Sequence, residues 1–399
     1  MGEISSRFRS RAEGDMRVLF FIFVSAGGKG GHFHSLNQIS LEIAKSNPSV
    51  RIITFGREKS SVLIDNPYFF RHLFFSKSKF ISFYSTLNNE IECFNPDILH
   101  FFDAHSFNIY FPLSLFYNNK IVVNKCGGPN PKVYPIVPNL ILFSEENKKW
   151  FLTNKSYRSS NIKVIPNRSS VVKTVEHQEY SKSSKYFNIV RICRIGSTYY
   201  SSILNGINLI KELSNRNIKV KYYVIGKVLD ESKFRQLYHD SFGVNIEFIT
   251  EEKFTTEASK MLYLADAVIG TGRSAMEACS LGIPTLMPSK HYDFPVLLNE
   301  DNFDKYFEKN FTDRVDAVDI DQETKLQEII KLIEDKDCYN RHTAFSKEVF
   351  DKCFDVSQAG GKYLKYYQTL NLQNINLSIL LTNFIRTIST IRRVFIGEF

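Results

Sequence analysis

The chain has 399 residues, enough for two domains of ordinary size, and its 43% hydrophobic and 23% charged residues allow packed cores and argue against disorder. A net charge of +9 favours anionic partners, yet no basic block alternates with exposed aromatics and no nucleic-acid motif is present, which leaves phosphorylated small molecules and membrane surfaces. The six cysteines, at 93, 126, 193, 279, 338 and 353, form no C-x-x-C pair, which argues against a disulfide framework or zinc site and suits a reducing, cytoplasmic compartment. Residues 17–24 are a continuous apolar run, as in a strand buried on both faces. Arg7, Arg9, Arg11 and Arg17 give this segment the look of a secretion signal. The run leads straight into a glycine turn and a helix with Phe33, Leu36, Ile39 and Ile43 at helical spacing, so a first β-strand is expected. Strands are predicted at 50–55, 97–102, 121–123, 140–143 and 162–165. Residues 172–187 are polar without a clean period and read as a linker. The alternation then restarts, with strands at 188–193, 220–225, 244–249, 267–269 and 285–287 and helices at 203–214 and around 230–239.

Two such arrays predict an α/β protein of two doubly wound, Rossmann-like domains facing a cleft, with ligands outside the carboxyl ends of the strands. The expected division is 1–171, the linker 172–187, 188–355, and C-terminal helices over 356–399. In the tail, Leu377, Leu381, Phe384, Ile388, Ile391 and Phe395 share one helical face near Arg386, Arg392 and Arg393. Two readings stay open: residues 372–399 lie on an anionic membrane, or the helix packs on the protein itself. No apolar stretch reaches the roughly 18 residues of a membrane helix.

Several motifs sit where ligands belong. Gly27, Gly28, Gly30 and Gly31 follow the first strand and open a helix, which suits a phosphate- or sugar-facing loop as well as a plain tight turn. The segment lacks the Gly-Lys-Ser/Thr of a P-loop, and Phe33 stands where a dinucleotide fingerprint needs its third glycine. His32 and His34 form an H-x-H pair with no further metal ligand nearby, and no metal is expected. Asp103 and His105 follow the strand ending at Phe102, either as ligand contacts or as a helix cap beside an exposed histidine. The Cys126–Asn130 segment follows the next strand in the same way. Arg194 stands at the mouth of the strand 188–193, suited to a bidentate diphosphate contact or to a surface position. Asp319-Ile320-Asp321 matches the D-x-D of metal-dependent sugar-nucleotide enzymes, but it has no clear strand before it and reads as coincidence.

In order and spacing, the glycine loop 27–31, PDILHFFDAHS at 96–106, CGGPN at 126–130, IPN at 165–167, RICRIG at 191–196, YYVIG at 222–226 and GTGRSAMEACSLGIPTL at 270–286 resemble retaining GT-B glycosyltransferases of glycosyltransferase family 4. The resemblance spans roughly residues 17–290. It implies an amino-terminal domain that binds the acceptor, through His32, Asp103 and Asn130, while its glycine loop approaches the donor phosphates. It implies a carboxy-terminal domain that binds the nucleotide sugar through Arg194, Gly226, Gly270, Thr271, Gly272, Arg273, Ser274 and Glu277. Arg194 matches the family's diphosphate arginine, Glu277 its ribose-binding second glutamate, and His105 lies where members contact the donor sugar; these three are the expected catalytic residues.

Two departures stand out: Ile269 occupies the place of the first glutamate, and no lysine follows Arg194 within about ten residues. Arg273 is the expected substitute for that lysine's charge. The implied reaction transfers a sugar from a nucleotide sugar to a saccharide or lipid-linked acceptor with retention, without metal or cofactor, at the inner face of the plasma membrane in surface polysaccharide assembly. The alternatives are a sugar-nucleotide 2-epimerase of the same architecture and a degenerate transferase acting as a scaffold subunit.

Overall fold

The computed structural model describes residues 16–315, 321–372 and 376–398, and the chain divides into two compact units, Met1–Ile165 with Val356–Phe399, and Pro166–Asp355. Arg7, Arg9 and Arg11, and Asp319 and Ile320 of the D-x-D, lie outside the described residues.

The first unit contains β1 (Val18–Val24), β2 (Val50–Gly56), β3 (Phe69–Phe74), β4 (Ile98–Phe101), β5 (Lys120–Lys125), β6 (Asn139–Leu142) and β7 (Asn161–Val164). Its helices are α1 (Gly31–Ser46), α2 (Phe80–Phe94), α3 (Ala104–Tyr110) and α4 (Glu145–Thr153). The seven strands form one parallel sheet in the order β3-β2-β1-β4-β5-β6-β7. β1 lies inside this sheet because all seven of its residues are apolar and buried, so both faces need a cover. It pairs with β2 on one side and β4 on the other, which is where the strand order reverses and a doubly wound sheet presents its ligand crevice. α1 buries Phe33, Leu36, Ile39 and Ile43 on one face. The edge strand β3 is absent from the sequence reading, because its FFRHLF carries exposed and buried residues without a clean alternation.

The second unit contains β8 (Phe187–Ile192), β9 (Val220–Ile225), β10 (Ile246–Ile249), β11 (Ala267–Ile269), β12 (Thr285–Met287) and β13 (Val296–Leu297). Its helices are α5 (Tyr200–Asn215), α6 (Glu231–Asp240), α7 (Glu252–Thr255), α8 (Arg273–Ser280), α9 (Glu300–Glu308), α10 (Gln322–Glu334) and α11 (Lys336–Val349). The sheet order is β10-β9-β8-β11-β12-β13, parallel except for β13 against β12. Asp321, the described end of the D-x-D, caps α10 by accepting from Thr324 N at 3.0 Å.

The division differs from the expected one. Residues 166–187, read in part as a linker, belong to the second unit. Their backbone and side chains are tied to its core: Val172 N donates to Ser280 Oγ, His177 N to Tyr263 Oη, and Lys182 Nζ to Ala265 O.

The tail completes the first unit with α12 (Ala359–Tyr367) and α13 (Leu377–Ile396). α12 lies so close to α1 that a Cβ on Gly360 would stand 2.7 Å from Glu42 O. Tyr367 Oη lies 2.7 Å from Nδ1 of buried His100 on β4, whose Nε2 is 2.9 Å from Asn124 Oδ1. Burial holds the His100 ring neutral, with its pKa lowered to about 3.

α13 corrects the reading of a single apolar face. Phe384, Ile391 and Phe395 pack inward on the first core. Asn383 bonds both Ile136 N (3.0 Å) and Ile136 O (2.8 Å), and Thr387 Oγ1 donates to Asn108 O. These long-range bonds turn a polar stripe inward and leave Leu377, Leu381, Ile385 and Ile388 exposed.

Candidate functional site

In the second unit, RICRIG brings forward an arginine other than the expected one. Arg191 lies within β8 and is fully buried. Its Nη1 donates to Ile269 O (2.9 Å) and its Nη2 to Ser202 Oγ (3.0 Å) and Thr271 Oγ1 (3.2 Å), with Tyr199 beneath the guanidinium at 5.6 Å. Every acceptor is neutral. No carboxylate among the described residues lies within ion-pair distance of it, and a buried charge so placed is costly unless an anion comes near. Arg194 sits past the strand end, exposed and without an ion pair or hydrogen bond among the described residues. The sequence reading passed over Arg191 as a strand residue, although a lone charge in a mostly apolar two-sided strand was the available signal.

The glycine turn after β11 packs tightly. A Cβ on Gly270 would lie 2.8 Å from Ala275 Cα, and Gly272 has φ +51° as the cap of α8. The expected backbone donors, however, are already engaged. Gly270 N donates to Leu286 O (2.9 Å), Gly272 N to Phe311 O (2.7 Å), and Thr271 N to Ser274 Oγ (2.9 Å). Ser274 Oγ in turn donates to Thr271 O (3.0 Å). Gly226 is a packing glycine as well: its N–H donates to Ile249 O, and a Cβ there would collide with Cys193 O at 1.7 Å. The turn therefore offers shape and helix-end potential, while a ligand's direct contacts fall to side chains.

Glu277 and Arg273 form an ion pair one helical turn apart, Nε to Oε1 at 2.8 Å, with side chains only 13% and 15% exposed. Burial pushes the Glu277 carboxyl above its ordinary pKa, against the Arg273 charge. Arg273 Nη1 is buried without a hydrogen-bond partner, and Nη2 reaches Ser169 Oγ at 3.5 Å. Ile269 is the last residue of β11 with its side chain fully buried in the core, so that position cannot offer a ribose contact. The carboxyl ends of β8 and β11 thus gather Arg191 and the amino termini of α5 and α8, which its hydrogen bonds to Ser202 and Thr271 tie together, with Arg194 just beyond β8. One carboxylate, Glu277, stands on α8, already shared with Arg273. Such an arrangement suits an anion that also carries hydroxyl groups.

In the first unit the loop 27–31 is closed from within. Gly27 N donates to Glu58 Oε1 at 2.5 Å, Gly28 N to Ser25 O, and Ser60 Oγ to Gly28 O. Gly28 has φ +61°, and a Cβ there would meet Ser60 at 2.6 Å. A carboxylate already lies on the N–H expected to face donor phosphate. Gly30 caps α1, and Gly31 opens it with free space at its Cα. His32 is half-buried and its ring lies tilted against Phe33, ring centroids 4.3 Å apart.

Asp103 is the cap of α3, with Oδ1 accepting from Ser106 N and Oδ2 from Phe23 N, both at 2.7 Å. Both its oxygens thus fasten the end of β1 to α3. His105 sits against Phe23, and burial lowers its pKa, opposed by Asp103 and reinforced by Arg393, so the ring is neutral. Asn130 is exposed, and its Oδ1 accepts from Asn147 Nδ2 at 2.9 Å. Burial pushes the Cys126 thiol to about 12, which makes it a poor nucleophile. Among the described residues no three His, Cys, Asp or Glu side chains are grouped to hold a metal ion.

No family model matches the chain, and no curated protein sequence matches it. Solved structures share its fold. HepE of Anabaena, in complex with UDP, is 14% identical with a TM-score of 0.64 over 89% of this chain and all of that one. Sucrose-phosphate synthase of Thermosynechococcus elongatus is 11% identical with a TM-score of 0.60 over 88% of this chain and 99% of its own. A putative UDP-N-acetylglucosamine 2-epimerase of Listeria monocytogenes is 11% identical with a TM-score of 0.57 over 89% and 96%. At these identities the likeness concerns the fold: two Rossmann-like α/β domains with parallel sheets, the GT-B fold.

Proposed function

We propose that the chain is a glycosyltransferase that moves a sugar from a nucleotide-sugar donor to a saccharide or lipid-linked acceptor. The observation that carries this reading is the cationic carboxyl end of β8 and β11, with a buried arginine balanced by no carboxylate, in a protein of GT-B fold. A nucleoside diphosphate supplies the missing negative charge and the hydroxyls that Glu277 accepts. UDP bound to HepE makes uridine diphosphate the first probe. In the transfer, the bond from the anomeric carbon to the diphosphate oxygen breaks, one to an acceptor hydroxyl oxygen forms on the same face, and the hydroxyl proton passes to the leaving diphosphate. Arg194, Arg273 and the amino termini of α5 and α8 neutralise the leaving diphosphate, and Arg191 sets the field beneath it. On this reading no metal is required, and the product belongs to surface polysaccharide assembly.

The degenerate-scaffold reading has its own observations: Glu58 in the glycine loop, the engaged N–H groups of residues 270–272, and buried Ile269. The epimerase reading is weaker, because proton abstraction needs a carboxylate unoccupied by a cation, and Glu277 is paired. A panel of nucleotide sugars assayed for nucleoside diphosphate release separates the three. Slow release without acceptor supports transfer, tight binding without turnover supports the scaffold, and a 2-epimer among the recovered donors refutes both.

A further inference from the structure

A cavity of about 690 Å³ opens at the carboxyl ends of β2 and β3, beside Glu58, which holds the glycine loop. Phe74, Phe75 and Phe395 form its walls, and Arg57, Lys77 and Lys79 its rim. No carboxylate among the described residues lines it. Lys79 Nζ sits 5.0 Å from the Phe74 ring, and neither Lys77 nor Lys79 has an ion pair among the described residues. Arg57 donates to Val394 O and Phe395 O, which fixes its guanidinium at the end of α13.

α13 reaches the cavity through Phe395. Leu377, Leu381, Ile385, Ile388 and Ile396 recur at spacings of three, four or eight and are between 56% and 71% exposed. Arg392 falls in the gap of that row and is exposed too. Beside the cavity, Ile81 in the first turn of α2 is 84% exposed. The helix is apolar on both sides: Phe384, Ile391 and Phe395 pack inward beside buried Asn383, Thr387 and Thr390, while the aliphatic row faces outward. A surface helix in water keeps polar residues on its outward face, so this row fits an apolar neighbour. No helix among the described residues is long and apolar enough to cross a membrane, which suits a helix lying in the interface plane. The charge decides between a bilayer and a second copy of the chain. A second copy would bring cations to cations, since Glu398 at this helix end is already bonded to Arg393.

We propose that α13 and the β2–β3 cavity form one site for anionic phospholipid. The aliphatic row enters the acyl boundary, and Arg57, Lys77 and Lys79 take the phosphate headgroup. This site is separate from the donor chemistry and stands without it.

Sedimentation of the full chain with phosphatidylglycerol and with phosphatidylcholine vesicles tests it, with UDP titration and circular dichroism recorded in parallel. Wild type should pellet with the anionic vesicles and not with the zwitterionic ones. Lys77→Glu with Lys79→Glu should weaken that binding at least about tenfold, from roughly 1 kcal/mol per basic residue. Ile385→Ser with Ile388→Ser should weaken it similarly, and both variants should keep the wild-type fold and UDP affinity. Vesicle binding equal to wild type in both variants overturns the proposal. So does a wild type that ignores phosphatidylglycerol vesicles yet gains thermal stability from glycerol phosphate, which marks a soluble-ester site. Concentration-dependent dimerisation that Ile385→Ser with Ile388→Ser removes, with no vesicle binding, assigns the row to a second copy and also overturns it.

Discussion

The two units meet the same demand in opposite ways. Each places a glycine turn and a helix amino terminus after a strand where the sheet order reverses, which favours negative charge. In the first unit the chain supplies that charge itself: Glu58 accepts from Gly27 N, and Asp103 from Phe23 N and Ser106 N. In the second unit, Arg191 meets only neutral oxygens. The glycine loop and the end of β1 are therefore internally sealed, whereas Arg191 in the second unit has no carboxylate partner among the described residues. Likeness of fold does not by itself tell which loop binds; the partner of each polar group does.

The comparison can be broken at several points. The largest effect concerns the glycines that end the second strand of each sheet. A Cβ on Gly226 would stand 1.7 Å from Cys193 O, and one on Gly56 2.5 Å from Val24 O. Gly226→Ala should therefore cost more than about 3 kcal/mol in chemical denaturation and exceed Gly56→Ala. The reverse order would mean that the second sheet yields more easily than its geometry implies. Asp103→Ala should destabilise by about 1–3 kcal/mol, from a lost cap and a lost buried acceptor, with UDP affinity unchanged. A fall in UDP affinity would place the first unit's seal in the donor site.

Acid should sharpen the contrast. Burial lowers His100 to about 3 and His72 to about 4, both in the first unit. Between about pH 4 and 6.5 the native state binds fewer protons than the unfolded chain, so stability falls as pH falls. The slope is at most about 1.4 kcal/mol per pH unit for each histidine. Hydrogen exchange followed from pH 7 to 4.5 should register the loosening around His100 and His72 before β8. In the second unit, Glu277→Ala should lower UDP affinity about tenfold, one ribose contact's worth. The same substitution should leave the affinity for a 2′,3′-dideoxy analogue unchanged; equal losses for both nucleotides would remove Glu277 from the ribose.

Much of the fold was legible because it rests on short apolar runs with one meaning. Val18–Val24 is such a run, and α1 keeps its apolar residues on one face. β3 was not, because an edge strand needs no continuous apolar pattern. The orientation of α13 was hidden by aliphatic residues on both faces; partners more than two hundred residues away, Ile136 and Asn108, decide it. The site was half legible. Glu277 and Arg273 read as separate ligands of a diphosphate sugar, while the structure pairs them. The engaged N–H groups of Gly270 and Gly272 depend on Leu286 and Phe311, which no local motif announces. Arg191 and Arg194 lie three residues apart, and only the end of β8 at Ile192 separates a buried guanidinium from an exposed one.

The most direct test is a calorimetric titration of UDP into wild type, Arg191→Met and Glu58→Ala side by side. The expected result is micromolar-class binding by wild type and by Glu58→Ala, with Arg191→Met weaker by about 10- to 100-fold, or roughly 1.4–2.8 kcal/mol. Undiminished binding by a folded Arg191→Met, or a comparable loss in Glu58→Ala, would contradict the assignment of the anion to the second unit.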